Sequence, residues 1–318
     1  MRADAGWAAS PAPDAATARQ RTLEAVGLVC LAGLLFVVMN AMVKALTDEH
    51  NQVMIVWARY FFHVLTVVVM FPGSLLGVLR APQVGMQLGR SILLLLSTVF
   101  NFAALVYLPL ADVTSIIFTS PIMVALLAIA VLRERVSLGR WLAIGAGFAG
   151  ALLIVRPGAG DLNVGALLAF GCALAYALYQ VTTRIVRESE PVVSLLYGGL
   201  VGTLAFSLLA PFWWEWPTPR TWLLFAVIGA LGAGGHLLVI MALQRAEASR
   251  VSPFSYVQLL WAMLVSFLAF GDVPSAWTVL GAAIIAVSGL QVYRLDMREQ
   301  AARPRPPSGH TPPSRSST

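Results

Sequence analysis

Along this chain the apolar residues gather into ten runs of membrane-crossing length, each bounded by short polar or charged stretches. A helix needs about 20 consecutive apolar residues to cross a hydrocarbon core of about 30 Å. The runs fall at 23–46, 53–72, 90–108, 111–132, 138–156, 163–186, 192–212, 220–242, 249–271 and 275–294, and we number them spans 1 to 10. The residues before 23 are rich in Ala, Pro, Arg and Asp, and those after 294 in Pro, Ser and Arg, so both ends read as disordered tails. Span 1 is longer than the apolar region of a signal peptide and has no small-residue cleavage pattern after it, so it reads as a retained helix.

The polar residues inside the spans recur in two registers. Ala111-Asp112-Val113-Thr114 is echoed by Ala246-Glu247-Ala248-Ser249 at an offset of 135, which also sets Asn101 opposite His236. An offset of 140 pairs Phe36 with Tyr176, Asn40 with Gln180 and Lys44 with Arg184. The body is thus read as two five-helix units, at 23–156 and 163–294, between cytoplasmic tails at 1–22 and 295–318. Five helices per unit is an odd number, so the two units must run through the membrane in opposite senses. Doubled, inverted bundles place a binding site near the bilayer midplane, at the interface of the repeats.

Composition agrees. Of 318 residues, 58% are hydrophobic and 11% charged, and the mean hydropathy is +0.80, too much apolar surface for a soluble domain to bury. The formal charge of +6 reflects topology and does not indicate nucleic acid. With a cytoplasmic N-terminus, only Lys44, Arg156 and Arg220 of the 21 Lys and Arg lie outside, and Arg59 lies within a span. The positive-inside rule then puts both termini in the cytoplasm. Trp57, Trp213, Trp214, Trp216, Trp222 and Trp277 fall near outer span ends and Trp141 near an inner one, where amphipathic rings settle. Cys30 and Cys172 lie in spans without metal-ligand spacing and read as small apolar residues.

Several residues could carry chemistry. Arg59 lies about 9 Å below the outer surface at about 1.5 Å per residue, costly unless paired or wet. It reads either as a substrate-anion or gate contact, or as an arginine that snorkels outward or bonds carbonyls of a neighbouring helix. His63 is one turn deeper on the same face. On span 6, Tyr176, Gln180 and Thr183 form a polar stripe matched by Asn40 and Lys44 on span 1; such a stripe suits a cavity wall or interhelical hydrogen bonds. His236 follows Gly232, Gly234 and Gly235, as a substrate or proton contact or a singly satisfied neutral ring. Spans 4 and 9 carry Thr114, Ser115, Thr119, Ser120 and Pro121, and Ser252, Pro253, Ser255, Tyr256, Gln258 and Trp261, where proline frees a carbonyl and makes a hinge. Tyr256 and Trp261 could stack a planar substrate or simply pack. Asp112 and Glu247 suit helix N-termini, and Glu134, between Arg133 and Arg135, reads as a solvated or gate charge. The small faces Ala143-Gly147-Ala151 and Ala282-Ala286-Gly289 suit close packing of spans 5 and 10.

The order and doubling of these features resemble the drug/metabolite transporter superfamily, in its ten-helix branch with two EamA-type domains, over residues 25 to 294. The carriers are Asn40 and Lys44, Ala58-Arg59-Tyr60-Phe61, Arg90, Leu110 to Pro121, Arg133-Glu134-Arg135 and Gly147-Phe148-Ala149-Gly150 running to Arg156-Pro157. In the second unit they are Gly165, Ala175-Tyr176-Ala177, Ala246 to Pro253, and Phe270-Gly271-Asp272 leading to Gly281. Asp272 stands where the family often has Glu.

The resemblance implies an all-α integral membrane protein that moves a small polar metabolite across the cell inner membrane by alternating access, with no cofactor. The family's substrates include amino acids, nucleosides, vitamins, S-adenosylmethionine and metallophores. The implied partners are that small molecule, the lipid bilayer, and a coupling proton or exchanged metabolite; a homodimer would form through spans 5 and 10. No Asp or Glu lies deep in any span, which disfavours a drug/proton exchanger and points to a neutral, zwitterionic or anionic substrate. A membrane enzyme acting on a lipid-linked substrate would need a nucleophile, a metal cluster or paired carboxylates near one interface, and a channel would show no counterflow.

Overall fold

The structure is a computed structural model that describes residues 15–79, 83–120, 122–124, 126–127, 138–155, 163–185, 191–245 and 252–302. Among these residues there are helices and no strands. In chain order they are α1 (Ala15–Leu46), α2 (Gln52–Met70), α3 (Ser74–Leu79), α4 (Val84–Tyr107), α5 (Leu110–Ile117), α6 (Leu138–Val155), α7 (Val164–Ile185), α8 (Pro191–Leu209), α9 (Pro219–Arg245), α10 (Val257–Phe270) and α11 (Ala276–Ala302). Short 3-10 turns follow α8 at Ala210–Trp213 and precede α10 at Ser252–Tyr256. α1, α2, α4, α7, α8 and α9 contain stretches long and apolar enough to cross a membrane, and shorter apolar helices lie at Leu110–Val124, Trp141–Ile154, Phe254–Phe270 and Ala276–Gln291. The chain is an all-α, multi-pass membrane protein.

Three boundaries differ from expectation, each for a local reason. The predicted tails are partly helical: α1 begins at Ala15 and α11 continues to Ala302. Both extensions are rich in Ala, Arg, Gln and Glu, strong helix formers, and a helix already nucleated in the bilayer extends at little cost. Arg303-Pro304 then disfavours continuation. The α1 extension is also tied down, because Gln20 donates to Glu24 at 3.2 Å and Glu24 lies 3.6 Å from Arg245 on α9. Within the described part of span 4, α5 gives way to a turn at Phe118 and Thr119, and span 9 opens with the 3-10 turn containing Pro253. Proline lacks the N–H that a continuous helix needs there. Third, α4 starts at Val84 instead of 90.

Asn51 and Asn163 cap α2 and α7 by accepting from Val53 N and Ala166 N at 2.9 and 3.1 Å. Gly271 closes α10 in the left-handed conformation, φ 70°.

Contacts between helices come in matched pairs. α1 packs on α9 as α7 packs on α4, α2 on α9 as α8 on α4, and α1 on α10 as α7 on α5. Under the correspondence of span 1 with 6, 2 with 7, 3 with 8 and 4 with 9, each contact is the image of the other. α6 and α11 pair directly. Their small faces meet inside one chain: a Cβ on Gly150 would lie 2.9 Å from Gly281 O, and one on Gly147 would lie 3.3 Å from Ser288 Cβ. A homodimer through these two helices would therefore have to use their outer faces, where Leu142, Leu152, Val279 and Val287 are exposed.

The main apolar core is lopsided. It joins Val43 and Leu46 at the end of α1, Met54 and Ile55 at the start of α2, and Leu105 and Leu110 at the α4–α5 corner. Phe225 and Ile228 near the start of α9 belong to it too, and it reaches Tyr60 on α2, Ala169 on α7 and Ala262 on α10. Most of it lies toward the bundle end that carries the α1 C-terminus; among the described residues smaller clusters form around Ala25 and Ala242, around Val67, Leu196 and Ala233, and around Ile122, Ala143 and Ile144.

Candidate functional site

The most polar part of the interior is built on the middle of α2. Arg59 and His63 stand one turn apart there, each 3% exposed, and face α8 and α9. Glycines make room for them. A Cβ on Gly199 of α8 would lie 3.0 Å from His63 Cδ2, and one on Gly232 of α9 would lie 3.5 Å from Arg59 Nη2. His236, one turn beyond Gly232, brings its ring to 6.2 Å from that of His63 and meets Phe36 of α1 edge-on at 5.0 Å.

Neither buried ring nitrogen of His63 makes a well-formed hydrogen bond, with only a loose approach to the Leu195 backbone. Nε and Nη1 of Arg59 are buried without a hydrogen-bond partner, and among the described residues no carboxylate pairs with it. Its guanidinium lies 4.5 Å from the Tyr60 ring centre. A cation over an aromatic face gains about 0.5–2 kcal/mol, whereas removing an ion from water costs several kcal/mol. Arginine cannot escape that cost by losing its proton. Among the described residues no counter-charge compensates the guanidinium.

Sequence reasoning missed two contributors. Arg90, expected at the mouth of span 3, is 5% exposed because α4 begins a turn and a half earlier. It donates to Ser194 O at 2.8 Å, lies 5.4 Å from the Tyr179 ring centre, and is within electrostatic reach of His236. Tyr60 is fully inside, donating to Thr98 Oγ1 at 2.7 Å, with its ring against Gly202 of α8. The Gly198-Gly199-Gly202 spacing, at one face of a helix, was the available signal.

The other candidates separate into groups. Asn101 Nδ2 donates to Asn40 Oδ1 at 3.0 Å, while Asn101 Oδ1 is buried without a partner. Phe36 and Asn40 share one face of α1, so this helix touches both His236 and Asn101. Lys44, a further turn on, donates to Leu105 O and Leu108 O at 3.2 and 3.0 Å. It occupies the C-terminal carbonyls of α4, where a cation is favoured. Tyr176 stacks on Tyr179 at 5.7 Å, Thr183 bonds back to Tyr179 O at 2.7 Å, and Gln180 is half-buried between them.

Thr119 is buried and spends its hydroxyl on Ile116 O at 2.7 Å. Trp261 Nε1 donates to Cys30 O at 3.2 Å, tying α10 to α1, and a Cβ on Gly33 would lie 3.2 Å from Gln258 Cβ. Tyr256 rests on Phe118 at 5.4 Å with its hydroxyl against Gly289. Asp112 accepts from Thr278 Oγ1 at 2.8 Å. Glu134, Glu247, Pro121 and the side chain of Arg184 lie outside the described residues. Among the described residues no group of three His, Cys, Asp or Glu could hold a metal ion.

Comparison with known proteins fits this arrangement. The EamA-like transporter family matches residues 23–156 and 163–293. A riboflavin transporter of Vibrio cholerae is 31% identical over 81% of this chain and 88% of its own length. A riboflavin transporter of Rhizobium johnstonii is 29% identical over 85% of this chain and 91% of its own. An S-adenosylmethionine uptake transporter of Rickettsia prowazekii is 23% identical, covering 83% of this chain and 90% of its own. One crystal structure matches the fold with a TM-score of 0.58 at 19% identity, over 86% of this chain and 98% of that one. Two tandem EamA-type matches on a doubled helical bundle, with polar side chains buried where the halves meet, make this chain a member of the EamA-like transporter family, a carrier of small metabolites.

Proposed function

We propose that the protein is an alternating-access carrier, and not an enzyme or a channel, in the cell inner membrane, with ten spans in two inverted five-helix repeats and both termini in the cytoplasm. The positive-inside distribution supports the orientation, and the paired helix contacts support the repeat. In that topology the largest apolar cluster among the described residues lies toward the outer end, which supports a conformation closed to the outside. Rocking of the repeats about the broken fourth and ninth spans opens it in turn.

The observation that carries this reading is the group of buried Arg59 and His63 with half-buried His236, beside the Asn40–Asn101 pair, inside an otherwise apolar bundle. Polar and ionisable side chains at such depth mark a substrate path. The substrate is a small polar metabolite. Heterocyclic compounds of the kind named for the relatives, riboflavin and S-adenosylmethionine, are the first to try. The test is counterflow in proteoliposomes, in which internal unlabelled compound accelerates entry of the labelled one. Uptake without that acceleration would indicate a channel, and chemical conversion of the compound an enzyme.

A further inference from the structure

Among the described residues the Arg59 guanidinium has no carboxylate as counter-charge. At 3% exposure the residue is largely withdrawn from solvent, and Nε and Nη1 are buried without a hydrogen-bond partner. The two structural uses of such an arginine, snorkelling to the interface and bonding the backbone of a neighbouring helix, both leave these groups unaccounted for. Arg90 provides the contrast within the same bundle, because one of its nitrogens donates to a carbonyl of α8. Beside Arg59, His63 has both ring nitrogens unused by any well-formed bond and His236 lies across from it, and each neutral ring can donate from one nitrogen. Asp112, the acidic residue of the α5 N-terminus, is engaged with Thr278 of α11. The interior therefore carries a positive field with free donors and, among the described residues, no carboxylate to balance it.

We propose that Arg59 binds an anionic oxygen group, a carboxylate or a phosphate, on the transported molecule, with His63 and His236 donating hydrogen bonds to the same group. The inference rests on the carrier reading above and narrows it to acidic or zwitterionic substrates. The bound anion supplies the missing counter-charge, and charge-assisted hydrogen bonds from a desolvated guanidinium are strong and directional. Tyr60 holds the guanidinium from the other side, its own hydroxyl fixed on Thr98.

Two matched ligand pairs test this with purified protein and radiolabelled compounds, in binding and in counterflow. S-adenosylmethionine and its decarboxylated form differ by a carboxylate; riboflavin 5′-phosphate and riboflavin differ by a phosphate. The wild type is expected to bind the acidic member of one pair about 10- to 100-fold more tightly, the worth of a charge-assisted bond. The pair that shows the preference identifies the group. Arg59→Gln is expected to abolish the preference by weakening only the acidic member, and Arg59→Lys to keep part of it. If Arg59→Gln does not give monodisperse protein, Arg59→Lys against wild type decides, since a shorter, non-forked cation must reduce the preference. Equal binding within both pairs, equal weakening of both members, or no binding of any of the four compounds overturns the proposal. Counterflow without discrimination leaves the carrier reading standing and removes the anion site; discrimination without counterflow does the reverse.

Discussion

Asn101 of α4 donates to Asn40 of α1 at 3.0 Å, a direct side-chain bond between spans 1 and 3 within the first repeat. The two residues stood out in the sequence for different partners, Asn40 with Gln180 and Asn101 with His236. Folding joins them to each other, because α1 crosses α4 near its C-terminal half. A double-mutant cycle of Asn40→Ala and Asn101→Ala, read by unfolding in mixed micelles, is expected to give a coupling of about 0.6–2 kcal/mol. Additive single effects would show that the bond contributes nothing to packing.

Lys44 is expected to act on stability and not on substrate affinity. Its ammonium holds Leu105 O and Leu108 O at the end of α4, and hydrogen bonds from a charged group are worth about 1.5–3 kcal/mol each when removed. Lys44→Met should therefore lower the melting temperature while leaving the KM for transport unchanged. A raised KM with an unchanged melting temperature would move Lys44 into the substrate site.

Gly202 lets the Tyr60 ring lie directly on the α8 backbone. Gly202→Ala is expected to destabilise by about 1–3 kcal/mol through overpacking, and the double variant with Tyr60→Ala to lose less than the sum of the two single losses, because the truncated ring vacates the space. Fluorescence-detected size exclusion after graded heating compares the single and double variants. Additive losses would refute the contact as the cause.

Gly150 and Gly281 set the spacing of α6 and α11, with backbone of one helix against the missing side chain of the other. Gly150→Leu should separate the pair and reduce the yield of folded monomer. Were these faces a dimer seam instead, the same change would convert dimer to stable monomer, which cross-linking in native membranes distinguishes.

The aromatic group at the outer ends of α2 and α9 makes a further prediction. Trp57 stacks on Phe61 at 4.9 Å, meets Trp214 edge-on at 5.3 Å and donates to Ser207 at 2.9 Å. It joins α2 to α8. Trp57→Ala should lower stability, by less than the roughly 3–5 kcal/mol of a fully buried aromatic because the ring is half-buried, if the end it caps stays closed throughout the cycle. A rise in uptake rate with little loss of stability would instead mark it as a gate.

Much of this molecule was legible before folding. The apolar runs determined that it lives in a membrane, because backbone groups in hydrocarbon can be satisfied only within helices or closed barrels, and run lengths and positions follow from bilayer thickness. Charge placement supports the proposed orientation, and Pro253 marked where the ninth span opens in a 3-10 turn. Helix ends were less legible: Ala15 and Ala302 lie beyond the apolar runs, in segments where helix propensity and not hydropathy decides.

The sequence by itself thus determined the class, the doubling and the depth of Arg59, His63 and His236, since these depend on local composition and on position along a helix of fixed rise. Only the tertiary structure decided which polar groups are spent and which are free. Lys44 and Asp112 are engaged by α4 and α11, Arg90 turns inward on Ser194, and Nε and Nη1 of Arg59 are left without a hydrogen-bond partner among the described residues. The reason is that satisfaction of a buried polar group depends on a neighbour from a distant part of the chain, and that neighbour is chosen by helix packing, not by the residue's own surroundings in sequence.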